Sequence, residues 1–281
     1  MIPVPNKLAW LQGYEKARRH SRGAVWNGMK RVLILMALLL CADSAWATAC
    51  ATGTVGAYTC KQACVNQAFS ASTTTCTFAS NLTSGSEVYL YGWQASTTGT
   101  IVFSASSGCS GMTFSSTDGT VTGIGSAAAQ AVASVPSTEA CTILMTAGAS
   151  SSLIGVIAVE LAGTNNTVDK HSLLNKGSVS SGSSISGTSI TTTVSGDLIL
   201  RGVVGYSTTG DVYTAGSGSI LYQGDSMAIQ GQSQASAGAV NPTITSNKND
   251  YFLVGNLAIE PSGGAAACTP TMALLGVGRC G

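Results

Sequence analysis

Residues Asn81–Trp93 read NLTSGSEVYLYGW, and residues Thr191–Gly205 read TTTVSGDLILRGVVG. Each passes from a polar turn through a glycine and an acidic residue into an apolar run. In the first, Tyr89, Tyr91 and Trp93 alternate with Val88, Leu90 and Gly92. A period of two sets the three rings on one face of a strand. That face is open to two readings: a flat platform in solvent that stacks on sugar rings or another subunit, or a large apolar contribution to a core. Gly92 marks a bulge in this reading. The likeness between the two segments is short and reads as similar strand design, not as duplication.

Working outward, β-branched and aromatic runs place candidate strands at Glu87–Ala95, Thr100–Ser104, Cys141–Thr146, Leu153–Leu161, Ser189–Val194, Asp197–Val204, Ser219–Gln223, Met227–Gln232, Thr243–Thr245 and Tyr251–Ile259. Turn signals at Thr83-Ser84-Gly85-Ser86, Asp118-Gly119, Ser195-Gly196-Asp197 and Asn247-Lys248-Asn249-Asp250 separate them. The Ala-rich stretch Ser126–Val135 fits either a strand or a helical turn. Gln62–Phe69 is read as one or two helical turns. The Ser/Gly-rich stretch from Gly177 to Ser189 looks like a linker on its own, and like a polar outer strand or loop in its context. The spacing predicts an all-β fold, an antiparallel β-sandwich of jelly-roll or Ig-like type.

The chain has 281 residues, of which 9% are charged, and a formal net charge of +1. Its N-terminus carries Lys7, Lys16, Arg18, Arg19, Arg22, Lys30 and Arg31, then an apolar run from Val32 to Cys41, then Ala45-Trp46-Ala47. Those are the three parts of a secretory signal, with cleavage expected after Ala47 and a compact alternative start at Met29. The apolar run is too short to span a bilayer, so no stable membrane span is expected after cleavage. Seven of the 13 Lys+Arg and two of the 12 acidic residues lie before residue 48, which leaves a remainder of about −4. A nucleic-acid partner, which needs a basic face, is excluded on that balance.

Eight cysteines follow the signal: Cys50, Cys60, Cys64, Cys76, Cys109, Cys141, Cys268 and Cys280. An even count in an exported chain reads as disulfides. Proximity groups the first four as one cluster, pairs Cys109 with Cys141, and closes a tail loop between Cys268 and Cys280. Cys60-x-x-x-Cys64 has tolerable metal spacing, but no second close pair or nearby His completes a zinc site, so no metal is expected. The domain reading is a leader at 1–47, a Cys-rich segment at 48–75, a β-sandwich at 76–261 and a Cys-containing tail at 262–281.

The strings SLIGVIAVELAG, GTSITTTVSGDLILRGVVG, GSGSILYQGDSMAIQGQ and NDYFLVGNLAIEP carry a resemblance. Residues from about Cys76 to Pro261 are similar to secreted bacterial β-sandwich modules of extracellular and surface proteins. The resemblance implies fold and compartment. These modules share no common activity, and fold does not imply function.

Candidate chemistry is thin. Past the signal, His171 is the one histidine, between Lys170 and Ser172, without identifiable triad partners. Glu160 and Glu260 sit near the ends of apolar strands and would serve a glycoside hydrolase if those strands paired. Asp118, Asp197, Asp211, Asp225 and Asp250 are scattered singly, without the Asp-x-Asp pattern of a calcium loop. The sequons at Asn81 and Asn165 matter only in a glycosylating host. No cofactor is expected. The leading expectation is a non-enzymatic extracellular protein for adhesion or assembly, partnered by copies of itself. The alternatives are a glycan-binding module using Tyr89, Tyr91 and Trp93, and an exported hydrolase using the two glutamates.

Overall fold

The computed structural model describes residues 46–116, 120–123, 125–206 and 210–262. The signal through residue 45, the pair Cys268 and Cys280, and Asp118 lie outside the described residues. Every regular element described is a strand, and the sheets are antiparallel. The first sheet holds β1 (Trp46–Thr48), β2 (Thr54–Val55), β3 (Tyr58–Thr77), β4 (Glu87–Gln94), β5 (Val102–Gly108), β6 (Ser115–Ser116), β7 (Val121–Gly123), β8 (Ser126–Ser134) and β9 (Cys141–Ala162). The chain continues through β10 (Thr164–Val179), β11 (Ser184–Ser186), β12 (Ile190–Thr191), β13 (Leu198–Gly205), β14 (Tyr213–Ala215), β15 (Ser219–Gly224), β16 (Met227–Ser233), β17 (Ala239–Val240), β18 (Thr243–Ser246) and β19 (Asp250–Pro261). A second sheet runs β10-β19-β13-β16-β15; β11-β18-β14 and β12-β17 form two small ones. The expected cleavage point after Ala47 falls inside β1.

β3 and β9 pair along nearly their whole lengths, and both are sharply bent. The bend follows from one crosslink. Cys64 and Cys76 are 12 residues apart on β3, a span of about 40 Å in a straight strand. Their Cα atoms are 5.6 Å apart in a disulfide. Ser70, with φ of 51°, and a register shift between Ala71 and Thr73 mark the turn-back on β3. On β9 the bend crosses Ala147–Ser152, where Gly148 lies against the backbone of Gly99, itself at φ +79°. Neither glycine has room for a Cβ, and Gly99 needs a φ that other residues avoid.

The bent-back limb, made of β5 and the near halves of β3 and β9, covers one face of β4 and β8. Phe103, Ile143 and Met145 of the limb share a core with Leu90, Ala129 and Val156. The opposite face of β4 shares a core with the second sheet, through Tyr91, Trp93, Leu200, Ile229 and Leu257. The second sheet's far face is covered by the small sheets, around Val203, Phe252 and Ile244, and around Ile199 and Ile190. β4 and β13 are therefore buried on both faces, residue after residue. The two segments that look alike in sequence become the facing central strands of the two large sheets.

Several expectations change. Residues 48–75 are no separate head: the boundary expected at residue 75 runs through β3, which pairs with β9 from Thr59 to Thr77. Gln62–Phe69 is strand, because ladder pairing and crosslinks override its helix-favouring Gln and Ala. Ser126–Ser134 resolves as strand. The two strands expected within 141–161 are one. Gly92 is no bulge, since the register runs through it on both sides; it makes room for Phe103 and Met145. Ser189–Val194 shrinks to Ile190–Thr191. The polar β10 was absent from the expected strands.

Three disulfides join Cys50 to Cys60, Cys64 to Cys76 and Cys109 to Cys141. The last is the expected pair, and the first two stay within the expected cluster. Cys60 and Cys64 take different partners, and a register shift between Cys60 and Gln62 puts them into different cores, so they hold no metal together. Disulfides of this number belong to an oxidising compartment. Among the described residues no helix is long and apolar enough to cross a membrane.

Candidate functional site

The aromatic face of β4 is core. Tyr89 and Tyr91 are 0% exposed and Trp93 is 1%. Each ring has a seat prepared on another strand. Tyr91 lies over Gly202 of β13, with Gly255 of β19 beside it. Gly202 and Gly255 are register partners, so their missing side chains open one slot for the ring. Trp93 Nε1 is 2.6 Å from the place a Cβ on Gly155 would take. Tyr89 Oη donates to Gln130 Oε1 at 3.0 Å. Of the two readings of this face, the structure takes the core one, since the second sheet covers it. The residues proposed for glycan stacking are out of a ligand's reach.

Glu160 and Glu260 do not form a pair. They sit on β9 and β19, in different sheets, and these strands do not pair with each other. Glu160 is buried and accepts from Gln62 Nε2 at 2.7 Å, Thr83 N at 2.8 Å and Ser86 Oγ at 2.7 Å. Those bonds tie the Thr83–Ser86 turn to the sheet, which is a structural task. His171 is exposed on β10, opposite Leu257.

Carboxyl groups do gather at both ends of β13. At its start, the buried Asp197 faces Asp169 and Glu260, and burial followed by those neighbours pushes its carboxyl up to about 7. Asp169 instead stays below its usual value: burial opposes, but Thr193's hydroxyl and N–H, then a hydrogen bond with Asp197 and then Lys170 prevail. Tyr58, whose hydroxyl donates to the Gly196 carbonyl, is raised to about 12 by burial and by Asp197. At the far end, Asp211 and Asp250 converge on Gly205. Asp225 is raised by burial alone. Among the described residues no group of three or more His, Cys, Asp or Glu is placed to hold a metal ion.

Two buried features escaped the sequence. Arg201 is 0% exposed with neutral partners: Nε donates to Asn256 Oδ1 at 2.8 Å, Nη1 to the Ile185 carbonyl at 3.0 Å and Nη2 to Asn241 Oδ1 at 2.6 Å. Burial lowers it to about 10, so it remains a cation at neutral pH. The signal was present as an arginine inside an apolar run, a position that a buried network explains. Glu87 opens β4 and lies opposite Ser134. Burial raises its carboxyl to about 7 against the pull of the Ser134 hydroxyl, and Oε2 has no hydrogen-bond partner. Ser134 also lines a cavity of about 260 Å³ together with Thr113, Ser115, Val132, Asn166 and Val168. The cavity wall is mixed polar and apolar, and it holds no paired nucleophile and base among those residues.

The remaining surface feature is an edge. β5 pairs with β9 on one side, and among the described residues no strand pairs with the other. Its sequence, VFSASSG, carries no charge and no proline, and Val102 is 53% exposed. By contrast, β10, one edge of the second sheet, bears Asp169, Lys170, His171 and Lys176, while β15, its other edge, is uncharged like β5. Charged and irregular edges resist pairing with another chain, whereas a neutral edge invites it. A register shift between Ala105 and Ser107 leaves Val102–Ala105 as the regular part.

No protein-family model and no curated protein matches the chain.

Proposed function

We propose that this chain is an exported, non-enzymatic protein of the cell surface or extracellular space, used for adhesion or assembly. On this reading the two large sheets and their shared core form a β-sandwich of the kind found in secreted bacterial modules. The observation that carries the reading is the neutral open edge of β5. Free N–H and C=O groups on an uncharged strand favour addition of a strand from another copy. A low charge density leaves little long-range repulsion to oppose that contact. Two disulfides, Cys64–Cys76 and Cys109–Cys141, hold the edge on a rigid limb, which reduces the ordering cost of association. The test is sedimentation velocity of the oxidised protein over a dilution series. The wild type is expected to self-associate, and the exposed-edge variant Val102→Lys with Ser106→Lys is expected to stay monomeric with an unchanged melting temperature. A wild type that is monomeric throughout, or a variant that assembles equally well, overturns the proposal.

A further inference from the structure

Gly205 ends β13 at a point where two acidic side chains from other elements arrive. A Cβ at Gly205 would sit 2.6 Å from Asp211 Oδ2 and 2.6 Å from Asp250 Oδ2. Asp211 precedes β14 and Asp250 opens β19, and the residues are 7% and 4% exposed. Asp211 Oδ1 accepts from the Ser246 hydroxyl at 2.7 Å, and Asp250 Oδ1 accepts from Tyr251 N at 2.7 Å. Asp211 Oδ2, aimed into the same small space, has no hydrogen-bond partner. A buried carboxylate oxygen left unmatched is costly, and a second carboxylate beside it adds repulsion. Burial and Asp250 both raise the Asp211 carboxyl, while the hydroxyls of Ser246 and Ser226 and the Lys248 ammonium pull it down. Two carboxylates with neighbouring hydroxyls are a hard, all-oxygen ligand set, which suits calcium better than a thiophilic metal.

We propose that Asp211 and Asp250 bind a divalent cation of the calcium type at Gly205. The ion supplies the orphaned Oδ2 with a partner and relieves the repulsion between the two groups. It also ties the ends of β13, β18 and β19 together, so it acts as a staple between the second sheet and the small sheet that covers it. The sequence shows these aspartates 39 positions apart and without a loop motif; only the fold makes them neighbours. The site is remote in chemistry from the β5 edge, and either proposal can fail without the other.

The experiment is thermal unfolding of the disulfide-intact protein in EDTA, in calcium chloride and in magnesium chloride. Calcium is expected to raise the melting temperature by several degrees, as binding to the folded state alone requires. Asp211→Asn and Asp250→Asn should each abolish that shift. Terbium titration gives a second readout that needs no variant: Tyr213, which feels the charge of both aspartates, serves as the antenna. Its sensitised emission should saturate and be displaced by calcium. Equal melting temperatures in calcium and EDTA, or terbium emission that calcium does not displace, overturn the proposal. So does a calcium shift that persists in both variants.

Discussion

Glycines decide what the aromatic residues can do. Tyr91 closes onto Gly202 and Gly255, and Trp93 onto Gly155, so rings open to a platform or a core reading become inter-sheet packing. The alternation of Tyr89, Tyr91 and Trp93 was legible in the sequence. Their direction was not, because it depends on which glycines of distant strands face them. The buried carboxyls are likewise set by tertiary neighbours. Glu87 is an unremarkable strand-start residue in sequence, yet burial raises it to about 7. In the unfolded chain a glutamate titrates near 4.3. Between about pH 4.5 and 7 the folded state therefore holds a proton that the unfolded chain releases. Stability falls as pH rises through that window. Asp197 contributes with the same sign. Urea unfolding at stepped pH should show this decline, and Glu87→Gln should flatten it in part. A slope identical in Glu87→Gln would contradict the assignment.

At the scale of elements, the apolar runs that became β4, β13, β15, β16, β18 and β19 were legible within one or two residues, because each alternates or is continuously apolar between turn signals. β3 and β10 were not. β3 carries helix-favouring residues, and only its ladder with β9 makes it a strand. β10 is polar and is held by β19 through an irregular register. The Gly/Ala/Ser stretch at Ala147–Ser152 carries a genuine signal with two structural outcomes. Small residues there leave a gap between the expected strands, and the chain uses them to crease one strand, whose ladder with β3 lapses between Thr146 and Ser151 and resumes on either side. The crease puts Gly148 against Gly99. Gly148→Ala should therefore cost about 1–3 kcal/mol through overpacking, measured by chemical denaturation. Unchanged stability would show that the crease has slack.

At the scale of the molecule, charged residues are scarce, 9% of the chain; among the described residues a contact of 3.5 Å joins Lys170 to Asp169, and Lys61 lies 4.0 Å from Glu160. In each the carboxylate is buried and the ammonium is partly exposed, so solvent screens the pair from one side. Stability comes from faces buried against faces, and from crosslinks that fix how the first sheet bends over itself. The Cys64–Cys76 bond is the one that joins the two limbs of a single strand. Composition and the even cysteine count pointed to this economy. The bend itself was hidden, since no local pattern says that two cysteines of one strand will meet. Peptide mapping of the unreduced protein by mass spectrometry, on material recovered from its native host by compartment, tests the account most directly. It should find Cys50–Cys60, Cys64–Cys76 and Cys109–Cys141 linked, in protein from outside the cytosol. Free thiols at Cys64 and Cys76, in protein confined to the cytosol, would contradict both the creased sheet and the export on which the proposed function rests.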